Sequence, residues 1–261
     1  MSIRFFQVDA FTNQPFKGNP AGVCLLNSMP EDKTLAAIAA ENNLAETAFL
    51  LPEQDGYRLR WFSPLVEIPL CGHATLASAH VLWETGLVPR TDTIRFYTLS
   101  GLLTATYQDT WITLDFPARE HAPAVLPEAW QPMFHQEIIN VTYSVDRYIV
   151  ELSSAEAVAG FIPDRQLLLA HKCIITARGA ANTPYDFVSR FFAGPIGVDE
   201  DPVTGSAHCS LAPYWAERLH KTTFFAYQAS PRGGELRVIW QHDRVLLLGQ
   251  AITVIDGSFH I

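Results

Sequence analysis

The chain has 261 residues, 48% of them hydrophobic and 11% aromatic, with 18 Lys+Arg against 27 Asp+Glu and a formal net charge of -9. This composition excludes intrinsic disorder, and with no basic run or aromatic-basic stripe it excludes nucleic acid as a partner. No stretch approaches the roughly 20 apolar residues that span a bilayer, and the opening MSIRFFQVDAFTNQPF shows no secretory pattern, so a soluble, cytoplasmic protein with no membrane partner is expected.

In chain order, short β-rich runs dominate. IRFFQVDAF, AGVCLL, TAFLLP, YRLRWF, IRFYT, LLTATY and WITLDF read as strands in the first half, and RYIVEL, KCIITA, LRVIW, RVLLL and AITVI in the second. Short polar connections such as QDT and QHD mark hairpins, which predicts largely antiparallel sheets. Helical spacing is confined to EDKTLAAIAAENN, where Leu35, Ile38 and Ala39 share a face, to residues 73–84, and to a later echo of that stretch. Many strands with few helices indicate an α+β fold. The Pro- and Ala-containing stretch 117–135 is strand-poor and marks a lobe boundary, taken as 1–118 and 119–261, with the last strand able to pack on the first lobe.

The echo is a repeat. One shift pairs Gly72 with Gly205, Ala74 with Ala207, Ala79 with Ala212 and Glu84 with Glu217, and a Phe-containing strand with a Pro beyond it precedes each copy. Two copies of strand, loop, Gly and helix predict two pseudo-symmetric lobes facing one cleft. The four cysteines are widely spread with no C-x-x-C pair, so reduced thiols are expected. The nine histidines show neither H-x-H nor H-E-x-x-H spacing, and no metal is expected.

Several residues could carry chemistry. Gly72 and Gly205 each head a helix whose first backbone N–H groups favour an anion such as a small carboxylate, although either glycine alone equally reads as a plain helix start. The helix dipole beside His73 tends to keep the imidazole neutral, ready to accept or donate a proton; the alternative is a partly buried polar residue. Glu46, set among apolar residues, is a general acid/base if it faces a dry cleft and a solvent-facing strand residue if Thr47 turns inward. Asp201 is singled out from three successive acids because Pro202 fixes its backbone as extended. Ser206 lacks a G-x-S-x-G context and reads as a hydrogen-bonding residue at the second helix start. Cys71 could be a thiol acid/base, though a small buried Cys is the commoner case. Pro213 should kink or break the second helix.

VDAFTNQPFKGNPAGV, ETAFL, RWFSPLVEIPLCGHATLASA and EDPVTGSAHCSLAPYWAERL together resemble the phenazine-biosynthesis PhzF-like isomerase family, which has the diaminopimelate epimerase fold. The resemblance implies two lobes, each a sheet or small barrel around a central helix. It implies catalysis without metal or organic cofactor, in which a glutamate shuttles a proton between carbons of a dihydro-hydroxyanthranilate, assisted by a His and an Asp. Carried over by motif, these are Glu46, His73 and Asp201, with Gly72, Gly205 and Ser206 holding the substrate carboxylate; a homodimer is implied as well. Diaminopimelate epimerases use a thiol at the head of each helix. Here Thr204 stands before Gly205, which disfavours a two-base racemase and leaves Cys71 as a remnant or packing residue. The expected function is a cofactor-independent isomerase of a small cyclic or amino-substituted carboxylate; the alternatives are an amino-acid racemase or epimerase and a silent binding protein of the same fold. A zinc site from Cys71, His73, His208 and Cys209 is a further arrangement, less suited to glycine-led helix starts.

Overall fold

The computed structural model describes residues 2–261. The chain folds as two units, the first running to Asp115 and taking back Leu248–Ile261, the second comprising Phe116–Leu247. The final strand thus lies with the first unit.

The first unit begins with β1 (Ser2–Ala10), which alternates between exposed and buried residues before becoming buried throughout at Val8, Asp9 and Ala10. Then come β2 (Asn19–Leu25), α1 (Asp32–Asn42), β3 (Glu46–Glu53), β4 (Gly56–Phe62), the short β5 (Glu67–Ile68), α2 (Gly72–Glu84), β6 (Ile94–Thr98), β7 (Gly101–Gln108) and β8 (Trp111–Pro117). β1 pairs antiparallel with β2, β2 parallel with β3, β3 antiparallel with β4, β4 parallel with β6, and β6 antiparallel with β7; β5 lies antiparallel on β4. Helix α2 packs on β1, β2 and β3. Leu35, Ile38 and Ala39 of α1 bury their shared face with Cys24, Phe49 and Phe62.

The second unit contains β9 (Ala122–Pro123), a 3-10 turn (Glu128–Met133), β10 (Ile138–Ser144), β11 (Arg147–Leu152), α3 (Ala155–Ala159), α4 (Arg165–Leu168), β12 (Lys172–Arg178), β13 (Phe187–Ala193), β14 (Val198–Asp201), α5 (Gly205–Leu219), β15 (Thr223–Gln228), β16 (Gly234–Gln241) and β17 (Arg244–Gly249). β18 (Ala251–His260) then pairs antiparallel with β1 in the first unit. β10 to β16 repeat the plan of β1 to β7: antiparallel β10–β11, parallel β11–β12, antiparallel β12–β13, short β14 on β13, parallel β13–β15 and antiparallel β15–β16. The fold is therefore α+β with pseudo-symmetric sheet lobes, largely antiparallel but with two parallel pairs in each copy. The sequence runs missed β10 and β15, whose polar and apolar residues mix, and the short β5, β9 and β14, whose two to four residues are too few to show alternation. Among the described residues no helix is long and apolar enough to cross a membrane. All four cysteines are buried, and none is in a disulfide.

Helix α5 corrects one expectation. It runs on through Pro213 to Leu219 instead of breaking. Proline removes the donor that would serve the Cys209 carbonyl four residues earlier, and the backbone N–H of Arg119 donates to that carbonyl instead, at 3.1 Å. The helix continues because its vacant acceptor is filled from a distant segment. Nearby, His208 is fully buried, stacked on Phe187, with Nδ1 at 2.9 Å from the Thr204 carbonyl and Nε2 without a hydrogen-bond partner. Burial lowers its pKa to about 4, only partly offset by the Thr204 carbonyl.

Two outcomes are expected. Gly18 has φ +64°, and a Cβ there would stand 2.1 Å from the Ala10 carbonyl oxygen; Gly18→Ala should cost roughly 2–4 kcal/mol from left-handed strain plus overpacking, measured by urea unfolding. For His208 the unfolded chain binds a proton between pH 6.5 and about 4 where the folded chain does not. Stability should therefore fall, by up to about 3 kcal/mol, as pH drops through that window, and His208→Gln should flatten this part of the stability–pH curve.

Candidate active site

Parallel pairing of β2 with β3 aligns Ala21 with Glu46, so Asn19 and Glu46, the first residues of their strands, sit at the same edge of the sheet. The first turn of α2 opens at that edge, bringing His73 between them. His73 Nε2 lies 3.2 Å from Glu46 Oε2, and His73 Nδ1 faces Asn19 Nδ2 at 3.2 Å and Cys71 Sγ at 3.6 Å. The Nε2 approach is an electrostatic contact, since its alignment falls short of a hydrogen bond. The His73 side chain is almost wholly enclosed, while that of Glu46 retains 17% exposure, enough to meet a ligand. Thr47 does turn inward, accepting a hydrogen bond from Asn42 Nδ2, without carrying Glu46 out to solvent.

The charge state of His73 differs from the dipole-based expectation. Burial by itself lowers the imidazole pKa, but Cys71 and Glu46 on its two sides outweigh it and hold the pKa well above 6.5. The imidazolium is favoured first by the Cys71 sulfur and then by the Glu46 carboxylate, close partners in a low-dielectric setting whose effect exceeds that of one helix end. Burial raises the Cys71 thiol pKa, opposed by His73 and reinforced by Glu46. The Cys71 sulfur touches the candidate catalytic imidazole at 3.6 Å. Glu46, Cys71 and His73 can each place one ligand atom within 4.8 Å of the others, the one such group among the described residues. The four-residue set of Cys71, His73, His208 and Cys209 is not that group. A cavity of about 730 Å³ in the first unit is lined by Arg4, Leu26, Leu50, Tyr57 and His260 and includes neither Glu46 nor His73.

In the second unit, Asp201 ends β14 in extended conformation and its carboxylate accepts from the Thr204 hydroxyl. Gln228 organises the approach to α5, its Oε1 accepting from the Thr204 N–H at 2.9 Å and its Nε2 donating to the Asp201 carbonyl at 2.7 Å. Gly205 and Ser206 form the first turn. Ser206 Oγ accepts from Arg147 Nη1 at 3.0 Å. Arg147 is buried, stacked over Phe191 and bonded to Asp146 at 2.7 Å. Burial works to raise the Asp146 carboxyl, but hydrogen bonds from Arg147 and Lys172 outweigh it and hold its pKa at about 2. Accepting from Arg147 leaves the Ser206 O–H able to donate. Neither α2 nor α5 has a side chain capping its first turn, which leaves backbone N–H groups for an anion.

The structure thus brings Glu46, Gly72 and His73 to one edge of the first unit, and Asp201, Gly205 and Ser206 to the start of α5 in the second. Sequence reasoning missed Asn19 and Arg147. Asn19 lies in the GNPAG run, where its place between two glycines at a strand start was the available signal; Arg147, beside Asp146 in an ordinary hairpin, offered none.

Comparison with known proteins places these observations in a family. The chain is 49% identical over 261 residues to an uncharacterized isomerase of Halalkalibacterium halodurans, covering 99% of this chain and 98% of that one. It is 38% identical over 288 residues to a human phenazine biosynthesis-like domain-containing protein, covering 99% of each. A crystal structure of a phenazine biosynthesis protein of the PhzF family from Enterococcus faecalis superimposes with a TM-score of 0.95 at 40% identity, covering 100% of both chains. With residues 8–257 matching the PhzC-PhzF model as well, the chain belongs to the phenazine biosynthesis-like protein family.

Proposed function

We propose that this protein is a cofactor-independent isomerase that moves a proton between carbons of a small cyclic or amino-substituted carboxylate, with Glu46 as the general acid/base. The observation that carries this reading is the placement of the Glu46 carboxylate, partly open to ligand, 3.2 Å from the buried Nε2 of His73. Family membership and relatives named as isomerases support the reaction class.

In this mechanism Glu46 takes a proton from an activated carbon and returns it at another. His73, enclosed and charged, fixes the carboxylate's orientation and stabilises negative charge that develops on the substrate. The reading assigns substrate contact to Gly72, Gly205 and Ser206, whose backbone N–H groups and hydroxyl suit a carboxylate, and an assisting role to Asp201. A two-base racemase is less well supported, because Thr204 stands where a second thiol is needed and its hydroxyl is already committed to Asp201.

The test is proton NMR in D₂O with a panel of small cyclic carboxylates that includes a dihydro-hydroxyanthranilate. The native protein should form product or incorporate solvent deuterium, and Glu46→Gln should lower that rate by about 10²- to 10⁴-fold, the range of general acid/base catalysis. Equal rates in both proteins would remove Glu46 from the mechanism. A ligand bound tightly by the native protein, with neither product nor exchange, would favour a silent binding protein.

A further inference from the structure

The cluster that serves as acid and base also has the composition of a metal site. A thiol, an imidazole and a carboxylate converge, each able to place a ligand atom within 4.8 Å of the other two. In a tetrahedral zinc site, with Zn–S of about 2.3 Å and Zn–N of about 2.0–2.1 Å, sulfur and nitrogen stand about 3.5 Å apart. Cys71 Sγ and His73 Nδ1 stand 3.6 Å apart. One edge of a zinc tetrahedron is therefore already formed. Both residues are held by backbone rather than by long flexible side chains, Cys71 as the residue capping α2 and His73 in its first turn.

We propose that Glu46, Cys71 and His73 form a binding site for a thiophilic divalent cation of the zinc class, and that its occupation switches the proton transfer off. The second half rests on the isomerase reading above. Sulfur and imidazole ligands select zinc and its neighbours over magnesium or calcium, which prefer all-oxygen sets. Binding is balanced as a proton exchange: the cation forms bonds to Cys71 sulfur and to His73 Nδ1, the thiol S–H and the imidazolium Nδ1–H bonds break, and both protons pass to buffer. Nδ1 of His73 is the ligating nitrogen, so it gives up its contact with Asn19 Nδ2. The Glu46 carboxylate completes the third position by rotating from the Nε2 side of the ring, and a water fills the fourth. A carboxylate bound to the cation can no longer accept a proton from carbon. Thermodynamically the metal competes with catalysis for one set of lone pairs, so inhibition is reversible.

The experiment titrates the protein with Co²⁺, a spectroscopic stand-in for Zn²⁺. One Co²⁺ per chain should bind with an intense near-ultraviolet thiolate-to-metal band, and one equivalent of Zn²⁺ should displace it. Cys71→Ser should lose the band and weaken binding by more than the roughly 10- to 100-fold typical of losing an outer partner. Cys209→Ser should keep both. Should Cys71→Ser fail to fold, zinc-edge X-ray absorption on the native protein decides the matter: one sulfur at about 2.3 Å is expected. A metal shell without sulfur, no band with Co²⁺, or a band that survives in folded Cys71→Ser overturns the site. In the D₂O assay Zn²⁺ should abolish deuterium uptake and a chelator should restore it; full exchange by the zinc-loaded protein overturns the switch. Failure of the metal-free protein to exchange any substrate refutes the isomerase reading and, with it, the switch, while the spectra still decide the binding site.

Discussion

Enclosing a helix in sheet is the constraint on which the rest of each unit depends. Ten residues of α2 are buried, from His73 to Trp83, and no solvent is at hand to satisfy its polar groups. The sequence meets this in two ways. Alanines and other small residues let β1, β2 and β3 come close, and the interior hydroxyls bond back to the helix's own carbonyls, Thr75 to Cys71 and Ser78 to Ala74. In α5 the same demand is met across the unit: Trp215 Nε1 donates to Thr176, Ser144 to Ser210, and Tyr214 to Glu151. A helix enclosed along its length has its ends as places to meet a small molecule, and these ends carry Gly72, His73, Gly205 and Ser206.

The same enclosure sets the electrostatics. His73 lies deep enough that burial alone would discharge it, yet a carboxylate and a thiol within reach reverse the outcome. Reasoning from the helix dipole considered one field where three act. The difference matters chemically. In the proposed mechanism a neutral imidazole beside Glu46 would compete with it for the substrate proton, whereas a cationic one would leave that task to the carboxylate and supply positive charge to the reacting centre.

What could be read from the chain follows from how local the signals are. The two glycine-led helices, their common antecedent strands and the α1 face of Leu35, Ile38 and Ala39 are written in contiguous residues. Glu46, His73 and Asp201 stood out through motifs shared with a family, whereas spacing alone left each of them ambiguous. Contacts that depend on the fold were invisible. Asn19 and His73 are 54 residues apart, and Arg147 and Ser206 are 59 apart; neither pair leaves a periodic trace. β13 is buried at every position, so alternation could not delimit it, and the helix through Pro213 defied a rule that is sound for a helix in isolation.

That proline also bears on how the second unit is assembled. The carbonyl of Cys209 finds its donor at Arg119, far back in the chain. A helix that lacks an internal bond at Pro213 is weakened in isolation, and closing the long loop back to Arg119 carries an entropy cost that the new contact must offset. The two halves of α5 are therefore bridged by a long-range bond, from the residues that follow β8. Continuity between its first turn, with Gly205 and Ser206, and the rest of the helix thus depends on a contact that only the tertiary fold supplies.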